Sequence, residues 1–243
     1  MKVDYIDHMG DDLAVVNAAR VSFDKESEWD YVEHDVWPDT WYENKGLTKR
    51  DQKLIKYLAK HNHWTPFGHP QITLREKVPI FVARQRQRST VGFVYNEVSR
   101  RYVDSEPEFY TPDVWRKRAE DKKQGSTSDY ITHFTQDLED FMPNYKDSIT
   151  RHYSILIDDA VELYENMLEA GVAPELARMV LPQSLYTEYV VTGSLAAFAR
   201  AYNLRSQPDA QAEIRELASK WNDIILPLFP VSWQALTEST SNV

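Results

Sequence analysis

The sequence contains no cysteine among its 243 residues and no hydrophobic run long enough to cross a membrane. Without cysteine, disulfides, thiolate metal sites and cysteine nucleophiles are all excluded. A membrane helix needs about 20 consecutive apolar residues, so no membrane partner is expected. The first residues, MKVDYIDHMGDD, are acidic where a signal peptide would be basic and then apolar. We therefore expect a cytoplasmic protein.

Positive charge is also scarce, with 28 Lys+Arg against 38 Asp+Glu and a net charge of −10. A broad surface for nucleic acid needs excess Lys and Arg to neutralise phosphates, so no nucleic-acid partner is expected. An anionic ligand would have to meet a local basic patch. With 42% hydrophobic residues the chain can bury a core of ordinary size, which predicts one globular domain over residues 1–243.

The acidic residues are concentrated in residues 24–43, which hold eight acidic residues, one lysine and three tryptophans. We interpret this stretch as an acidic surface loop whose aromatic side chains fold back onto the core. A segment that binds a partner is the alternative interpretation.

The hydrophobic pattern predicts several helices and a few strands. A helix should begin after an N-cap at Thr48, and alternation predicts a strand over Gln71–Glu76. A second helix should follow Pro79. Residues 129–171 should form two helices separated near Pro143, the second one ending at Gly171.

The remaining third of the chain shows the same mixture. A short helix is predicted after Pro174, and residues 184–192 have the β-branched and aromatic composition of a strand. Ser194 should cap the next helix, and the last long helix should open at Pro208. The predicted fold class is α+β, a single domain of long helices packed around a small mixed or antiparallel sheet.

Residues 84–102, RQRQRSTVGFVYNEVSRRY, form the chemically most informative segment. They contain five arginines and one glutamate in an otherwise acidic chain. Gln85, Asn96, Glu97, Ser99 and Tyr102 add donors and acceptors suited to a phosphate, a sugar and a planar base. The segment predicts a compact nucleotide or phosphate site. An arginine-rich exposed helix face is the alternative.

Several motifs occur together in this chain, in one order. HWTPFGH precedes PIFVARQ and NEVSRRY, and ELARMVLPQSLYTEY, FARAYNLRS and AQAEIRELA follow. In these motifs the sequence closely resembles the flavin-dependent thymidylate synthases over most of its length. The acidic tryptophan-rich stretch, about residues 24–47, lies outside the resemblance and is interpreted as an insertion.

The resemblance implies reductive methylation of dUMP to dTMP by a homotetramer. Methylenetetrahydrofolate would supply the one-carbon unit, FAD would carry the hydride, and NADPH would be the reductant. This family does not depend on an active-site cysteine, so a chain without cysteine is compatible with it. Two alternatives stay open: altered chemistry on dUMP, such as hydroxymethylation, or a nucleotide-binding homologue that has lost flavin and catalysis.

The family's Arg-His-Arg triplet, which is followed by a spacer and a serine, is changed in this chain. Aligned back from NEVSRRY, the triplet falls on Arg88, Ser89 and Thr90, and one extra spacer residue lies near Gly92. A shifted register that begins at Arg86 restores both arginines but lengthens the spacer further. Loss of the histidine and of the second arginine implies weaker FAD binding or a changed flavin position.

The other site residues also follow from the resemblance. The dUMP residues are Gln85, Arg88, Glu97, Ser99, Arg100, Arg101, Arg178 and Arg205. The FAD residues are Ser22, Thr65, Arg88, Ser89, Thr90, Glu97, Ser194 and Arg200. Arg205 is the implied catalytic residue, because a guanidinium beside the uracil ring favours the anionic base and raises electron density at C5. Ser99 is expected to bind and position the substrate. His61, His63 and His69 fit no standard zinc spacing, and no metal is expected.

Overall fold

A four-stranded antiparallel sheet forms the centre of the fold in the computed structural model. Its strands, in spatial order, are β1 (Lys2–Met9), β4 (Gln71–Pro79), β8 (Tyr186–Ser194) and β5 (Phe93–Glu97). Alternate residues of β4 and β8 are buried, as expected for a sheet with one face on the core. The structure describes residues 1–36, 39–102, 106–120, 126–133 and 148–238, with the backbone alone described over 32–45.

Helices cover the sheet and share one hydrophobic core with it. These core helices are α1 (Asp12–Arg20), α2 (Lys49–Lys60), α3 (Ile80–Arg86), α6 (Leu195–Arg205), α7 (Ala212–Leu228) and α8 (Pro230–Glu238). The largest fully buried side chains include Trp221 and Trp233, which come from α7 and α8. Two further helices, α4 (Ile149–Glu169) and α5 (Pro174–Ala177), pack against each other and contribute little to this core.

The predicted caps and stops have clear physical causes in the structure. The Thr48 hydroxyl accepts a hydrogen bond from the Asp51 backbone N–H, and Ser194 Oγ accepts one from Ala197 N, so both residues cap helices as predicted. Gly171 ends the α4 segment with a φ of +84°, a conformation that glycine adopts without strain. The α+β fold class is confirmed.

Two helix predictions were wrong in part. Part of the predicted helix after Asp129 is a strand, because β7 (Ser126–Ile131) pairs with β6 (Trp115–Arg118). Pro143, where the two helices were predicted to separate, lies outside the described residues. The last long helix begins at Ala212, because residues 206–210 form turns, with Ala210 N donating to Gln207 O.

The acidic stretch forms a hairpin rather than the predicted loop. Strands β2 (Asp30–Val36) and β3 (Asp39–Gly46) pair from Asp30 opposite Gly46 to Val36 opposite Asp39. Tyrosine and valine in β2, and threonine, tryptophan and tyrosine in β3, favour this extended conformation over an irregular loop. Trp29, which precedes the hairpin, packs against the core.

The first and last helices are joined by a buried carboxylate. The two oxygens of Asp12, in α1, accept hydrogen bonds from the backbone N–H groups of Val231 and Ser232 at 2.8 and 2.9 Å. Asp12 therefore supplies acceptors to the first turn of α8. Burial raises the pKa of this carboxyl, although its hydrogen bonds act in the opposite direction.

Candidate functional site

A cleft of about 770 Å³ opens beside the ends of β5 and β8. Three of the sequence-predicted site residues line it: Glu97, Arg100 and Arg178. Arg84 and Lys77 add positive charge, whereas Glu108, which also lines the cleft, accepts a hydrogen bond from Lys77 at 2.6 Å. In all, four basic side chains and five glutamates line this cleft, so charges of both signs meet in it.

Glu97, the last residue of β5, is fixed from two sides. Its Oε1 accepts a hydrogen bond from Thr187 Oγ1 at 2.6 Å, and its Oε2 accepts one from Gln87 Nε2 at 3.2 Å. Thr187 lies on β8 and Gln87 caps α3, so two elements orient this carboxylate at the cleft wall.

The polar residues that follow β5 form a tight local structure. Ser99 Oγ accepts hydrogen bonds from the backbone N–H and from Nε of Arg101, the latter at 3.1 Å. The guanidinium of Arg101 also lies 5.0 Å from the ring centre of Tyr102. Arg100 donates to Glu106 O across the cleft rim. The backbone here presents a serine and two arginines together.

Arg205 lies at the last position of α6 and contacts α3. Its Nη2 donates to the Gln85 carbonyl oxygen at 2.8 Å. Its Nε is buried and has no hydrogen-bond partner within the described part of the chain. Burial, and then the like charge of Arg86, lowers the pKa of Arg205, but a guanidinium stays charged at neutral pH. The structure thus holds a partly buried cation against the predicted nucleotide segment.

A second group of predicted residues lies around the N-terminal half of α6. Ser194 caps this helix, and Arg200 Nη2 donates to the Val91 carbonyl in the loop that also contains Ser89 and Thr90. α6 also packs against the 3₁₀ turn that contains Thr65. Ser22 lies in another 3₁₀ turn, after α1, and is exposed.

The two groups of residues are separated along α6. An 11-residue helix is about 16 Å long, so Ser194 and Arg205 stand at opposite ends of that distance. Arg200 lies midway between these two residues along the helix. Arg88, which lies between Gln85 and Ser89 in sequence, is exposed.

The burial of Arg86 bears on the choice between the two triplet registers. Arg86 is fully buried, where its Nε lies 3.3 Å from Glu76 Oε2 and its Nη1 donates to Tyr95 OH at 2.7 Å. Its guanidinium also faces the ring of Trp221 at 4.5 Å. A side chain held inside the core cannot reach a ligand, and this burial favours the register that begins at Arg88.

Sequence reasoning missed a polar cluster beside Gln85. Gln85 Nε2 donates to Gln211 Oε1, and Gln211 Nε2 donates to Glu213 Oε2 at 2.8 Å. Arg116 Nη2 lies 2.5 Å from Glu213 Oε1, and Tyr110 OH donates to the same oxygen. The signal for Gln211 and Glu213 was the AQAEIRELA motif, but nothing in the sequence around Arg116 indicates its partner.

The described residues were compared with the arrangements that hold metal ions and with those that span membranes. No cluster of three or more His, Asp or Glu side chains there is arranged to hold a metal ion. His61 and His63 instead pack beside the ring of Tyr57, 4.3 and 6.0 Å away between ring centres. None of the helices in the same ranges has both the length and the apolar character of a membrane span.

Comparison with known proteins gives a consistent result. The family described as "Thymidylate synthase complementing protein" matches residues 4–231. A protein named flavin-dependent thymidylate synthase from Thermosipho africanus is 34% identical over 232 residues, which cover 95% of this chain and 88% of that protein. A second protein of that name, from Thermus thermophilus, is 35% identical over 233 residues, which cover 96% of this chain and 74% of that protein. Among solved structures, the UMP/dUMP methylase PolB from Streptomyces cacaoi, bound with 5-Br dUMP, aligns with a TM-score of 0.73 at 27% identity, over 98% of this chain and 94% of that chain.

Proposed function

The chain belongs to the flavin-dependent thymidylate synthases, and on that premise we propose that it methylates dUMP to dTMP in the cytoplasm. Methylenetetrahydrofolate is the proposed one-carbon donor and NADPH the proposed reductant. The observation that carries the proposal is the half-buried guanidinium of Arg205, held against the Gln85 backbone with one nitrogen free of partners among the described residues. The name of the Streptomyces cacaoi methylase supports dUMP as the substrate.

Arg205 is the proposed activating residue. A guanidinium beside N3 and a carbonyl of uracil stabilises the anionic form of the ring. Negative charge on the ring raises electron density at C5, the carbon that receives the one-carbon unit. Partial burial strengthens this effect because water screens the charge less.

The cleft beside β5 is the proposed nucleotide site. Arg100 and Arg178, which line the cleft, provide charged donors for the phosphate of dUMP. Arg101 and Ser99, hydrogen-bonded to each other in the adjoining segment, add a third charged donor and a hydroxyl that positions the phosphate. Glu97 is already oriented by Thr187 and Gln87 and can accept a hydrogen bond from the nucleotide. Gln85, Arg88 and Arg205 complete the proposed set from outside the lining of the cleft.

FAD is the proposed cofactor, and the available side chains are compatible with it. Ser22, Thr65 and Thr90 are exposed and offer hydroxyl groups, and Arg88 and Arg200 are exposed cations able to meet a diphosphate. Ser89, Glu97 and Ser194 complete the proposed set. When bound, FAD would supply the hydride that reduces the transferred carbon. The missing histidine and arginine of the triplet leave this site with fewer contacts than the family pattern.

A homotetramer with shared sites is the proposed assembly. The two ends of α6 carry different parts of the proposed site, which fits a site completed by another copy. Leu156 and Leu163 lie seven residues apart on α4, and each remains about half exposed, at 57% and 49%. Changing both leucines to glutamate should give smaller particles in analytical ultracentrifugation and abolish turnover of dUMP. A monomer that still converts dUMP would contradict the shared site.

The test of the function is an anaerobic titration of purified protein with FAD, followed by visible absorbance, with and without dUMP. We expect an oxidised-flavin spectrum that dUMP perturbs and NADPH bleaches. Mass spectrometry of the nucleotide after addition of methylenetetrahydrofolate should find dTMP. No flavin spectrum at saturating FAD, together with retained dUMP binding, would indicate a nucleotide-binding homologue without catalysis.

A second candidate is altered chemistry in the same fold. The observation that favours it is Ser89 and Thr90 in place of the family's His and Arg. The same mass spectrum decides, because a hydroxymethyl product is heavier than a methyl product by one oxygen. UMP should be tested beside dUMP, since the Streptomyces cacaoi relative is named for both.

A further inference from the structure

Two glutamine side chains form a chain of hydrogen bonds that starts at a carboxylate and ends at Gln85, a residue of the proposed dUMP set. Glu213 lies in the first turn of α7 and is buried. Its Oε2 accepts from Gln211 Nε2 at 2.8 Å. Gln211 Oε1 in turn accepts from Gln85 Nε2. Gln85 is also the residue whose carbonyl holds Arg205.

The charge of Glu213 determines which way both amides face. An ionised carboxylate only accepts hydrogen bonds, so Gln211 must direct its NH₂ group toward Glu213. Its oxygen then faces Gln85, and Gln85 must direct its own NH₂ group toward that oxygen. The side-chain oxygen of Gln85 remains as an acceptor for a donor group of the ligand. A glutamine on its own could present either end.

Glu213 is held ionised by its surroundings. Burial opposes the charge, but hydrogen bonds from Arg116, from its own backbone N–H and from Gln211 outweigh it, so its pKa lies below the ordinary value of a glutamate. Tyr110 OH donates to Glu213 Oε1 as well, at 3.2 Å. The carboxylate therefore acts as a fixed acceptor at neutral pH, and the direction of the chain of amides is fixed with it.

We propose that Gln211 is a positioning residue, which, oriented by Glu213, fixes the Gln85 amide so that its oxygen faces a hydrogen-bond donor of the nucleotide. The identification of that nucleotide as dUMP rests on the proposed function. Gln211 itself acts only through Gln85. The same contact steadies the Gln85 backbone and, through it, the guanidinium of Arg205.

The experiment is a double-mutant cycle on dUMP binding and turnover in the flavin-loaded protein. Gln211→Leu should raise the KM and the Kd for dUMP about ten-fold, the effect of one lost hydrogen bond, and leave the flavin spectrum unchanged. Gln85→Leu should do the same or more, and the double variant should be no worse than Gln85→Leu alone. Gln207→Leu is the matched control, because Gln207 is exposed on the same segment and its side chain bonds only Asn203 O among the described residues.

Each outcome bears on the inference separately from the function. Independent, multiplying effects of the two substitutions on dUMP affinity would overturn it while leaving the proposed function intact. Failure of the unaltered protein to bind dUMP would refute the proposed function instead. In that case crystal structures of the ligand-free protein decide: Gln85 should adopt a new side-chain conformation in the Gln211→Leu variant, and an unchanged conformation would overturn the inference.

Discussion

At the scale of the residue, the unusual feature of the core is a buried pair of opposite charges. Arg86 and Glu76 are both fully buried, and Glu76 also accepts hydrogen bonds from Tyr189 OH at 2.6 Å and Trp221 Nε1 at 2.9 Å. The desolvation cost of such a pair is offset only when the geometry is close and additional hydrogen bonds are formed. Aromatic rings around the guanidinium provide further attraction.

Breaking this pair should be costly. We expect Arg86→Leu to lower the free energy of unfolding by about 3–5 kcal/mol, because Glu76 would remain as a buried, uncompensated charge. Urea denaturation measures this change. The double variant, Arg86→Leu with Glu76→Leu, removes both partners. It should lose less unfolding free energy than the sum of the two single variants. Arg75→Leu, which breaks an exposed pair with Glu188, should lower the free energy of unfolding by no more than about 1 kcal/mol. Equal losses in Arg86→Leu and Arg75→Leu would contradict the importance of burial for the Arg86–Glu76 pair.

Replacing Arg205 should lower the turnover of dUMP without lowering the flavin content. Arg205→Ala should lower kcat by about 10²–10³-fold or more, the loss expected when a preorganised donor to a developing charge is removed. Flavin content, read from the visible spectrum, should change little, because Arg205 lies at the end of α6 away from Ser194. Unchanged turnover would show that another group activates the substrate.

At the scale of the element, the loop between α3 and β5 carries the main departure from the family pattern. Ser89 and Thr90 occupy the positions of the missing His and Arg in the register that the burial of Arg86 favours. We expect the double change Ser89→His with Thr90→Arg to tighten FAD binding by at least ten-fold, since each new side chain adds a charge or a ring contact. Fluorescence titration with FAD measures this. An unchanged affinity would favour the shifted register.

The pairing of β5 with β8 depends on a glycine. A Cβ atom at Gly193 would lie 2.3 Å from Cδ1 of Phe93, the residue opposite it in the register. Gly193→Ala should force this ring off Arg86 and lower the free energy of unfolding by about 1–3 kcal/mol, in the range of overpacked cores. Thermal unfolding provides the measurement. Gly68→Ala is the matched control, because its added Cβ would lie no closer than 3.4 Å to any neighbouring atom, at ordinary contact distance.

Elements with local signals were predictable, and those that depend on distant partners were not. A capping residue followed by periodic apolar residues predicts the two helices that begin after Thr48 and Ser194. The β6–β7 hairpin and α8 have no such signal, because their stability comes from contacts with remote segments. The same limit applies to the site. Its arginine-rich segment was visible in the sequence, whereas the burial of Arg86 and the contact between Arg116 and Glu213, 97 residues apart, required the fold.

At the scale of the whole molecule, stability should depend on pH through carboxylates such as Glu213. Its pKa is lower in the folded protein than the 4.5 of an ordinary glutamate, so its stabilising contribution is present above that value and is lost as the pH falls. The melting temperature of the unaltered protein should exceed that of Glu213→Gln at about pH 6, and the difference should shrink toward about pH 4. Glu162→Gln, on the exposed face of α4, should show no such trend.

The bond between Asp12 and the start of α8 has a consequence for how the protein is made. The partners are 219 and 220 residues apart, and β1 pairs with β4 only after about 70 residues have been added. Because contacts so distant in sequence form late, a nascent chain on the ribosome cannot close its core until α8 has emerged. Up to that moment the apolar faces of α1 and α2 that α8 covers stay open to water and to chaperones.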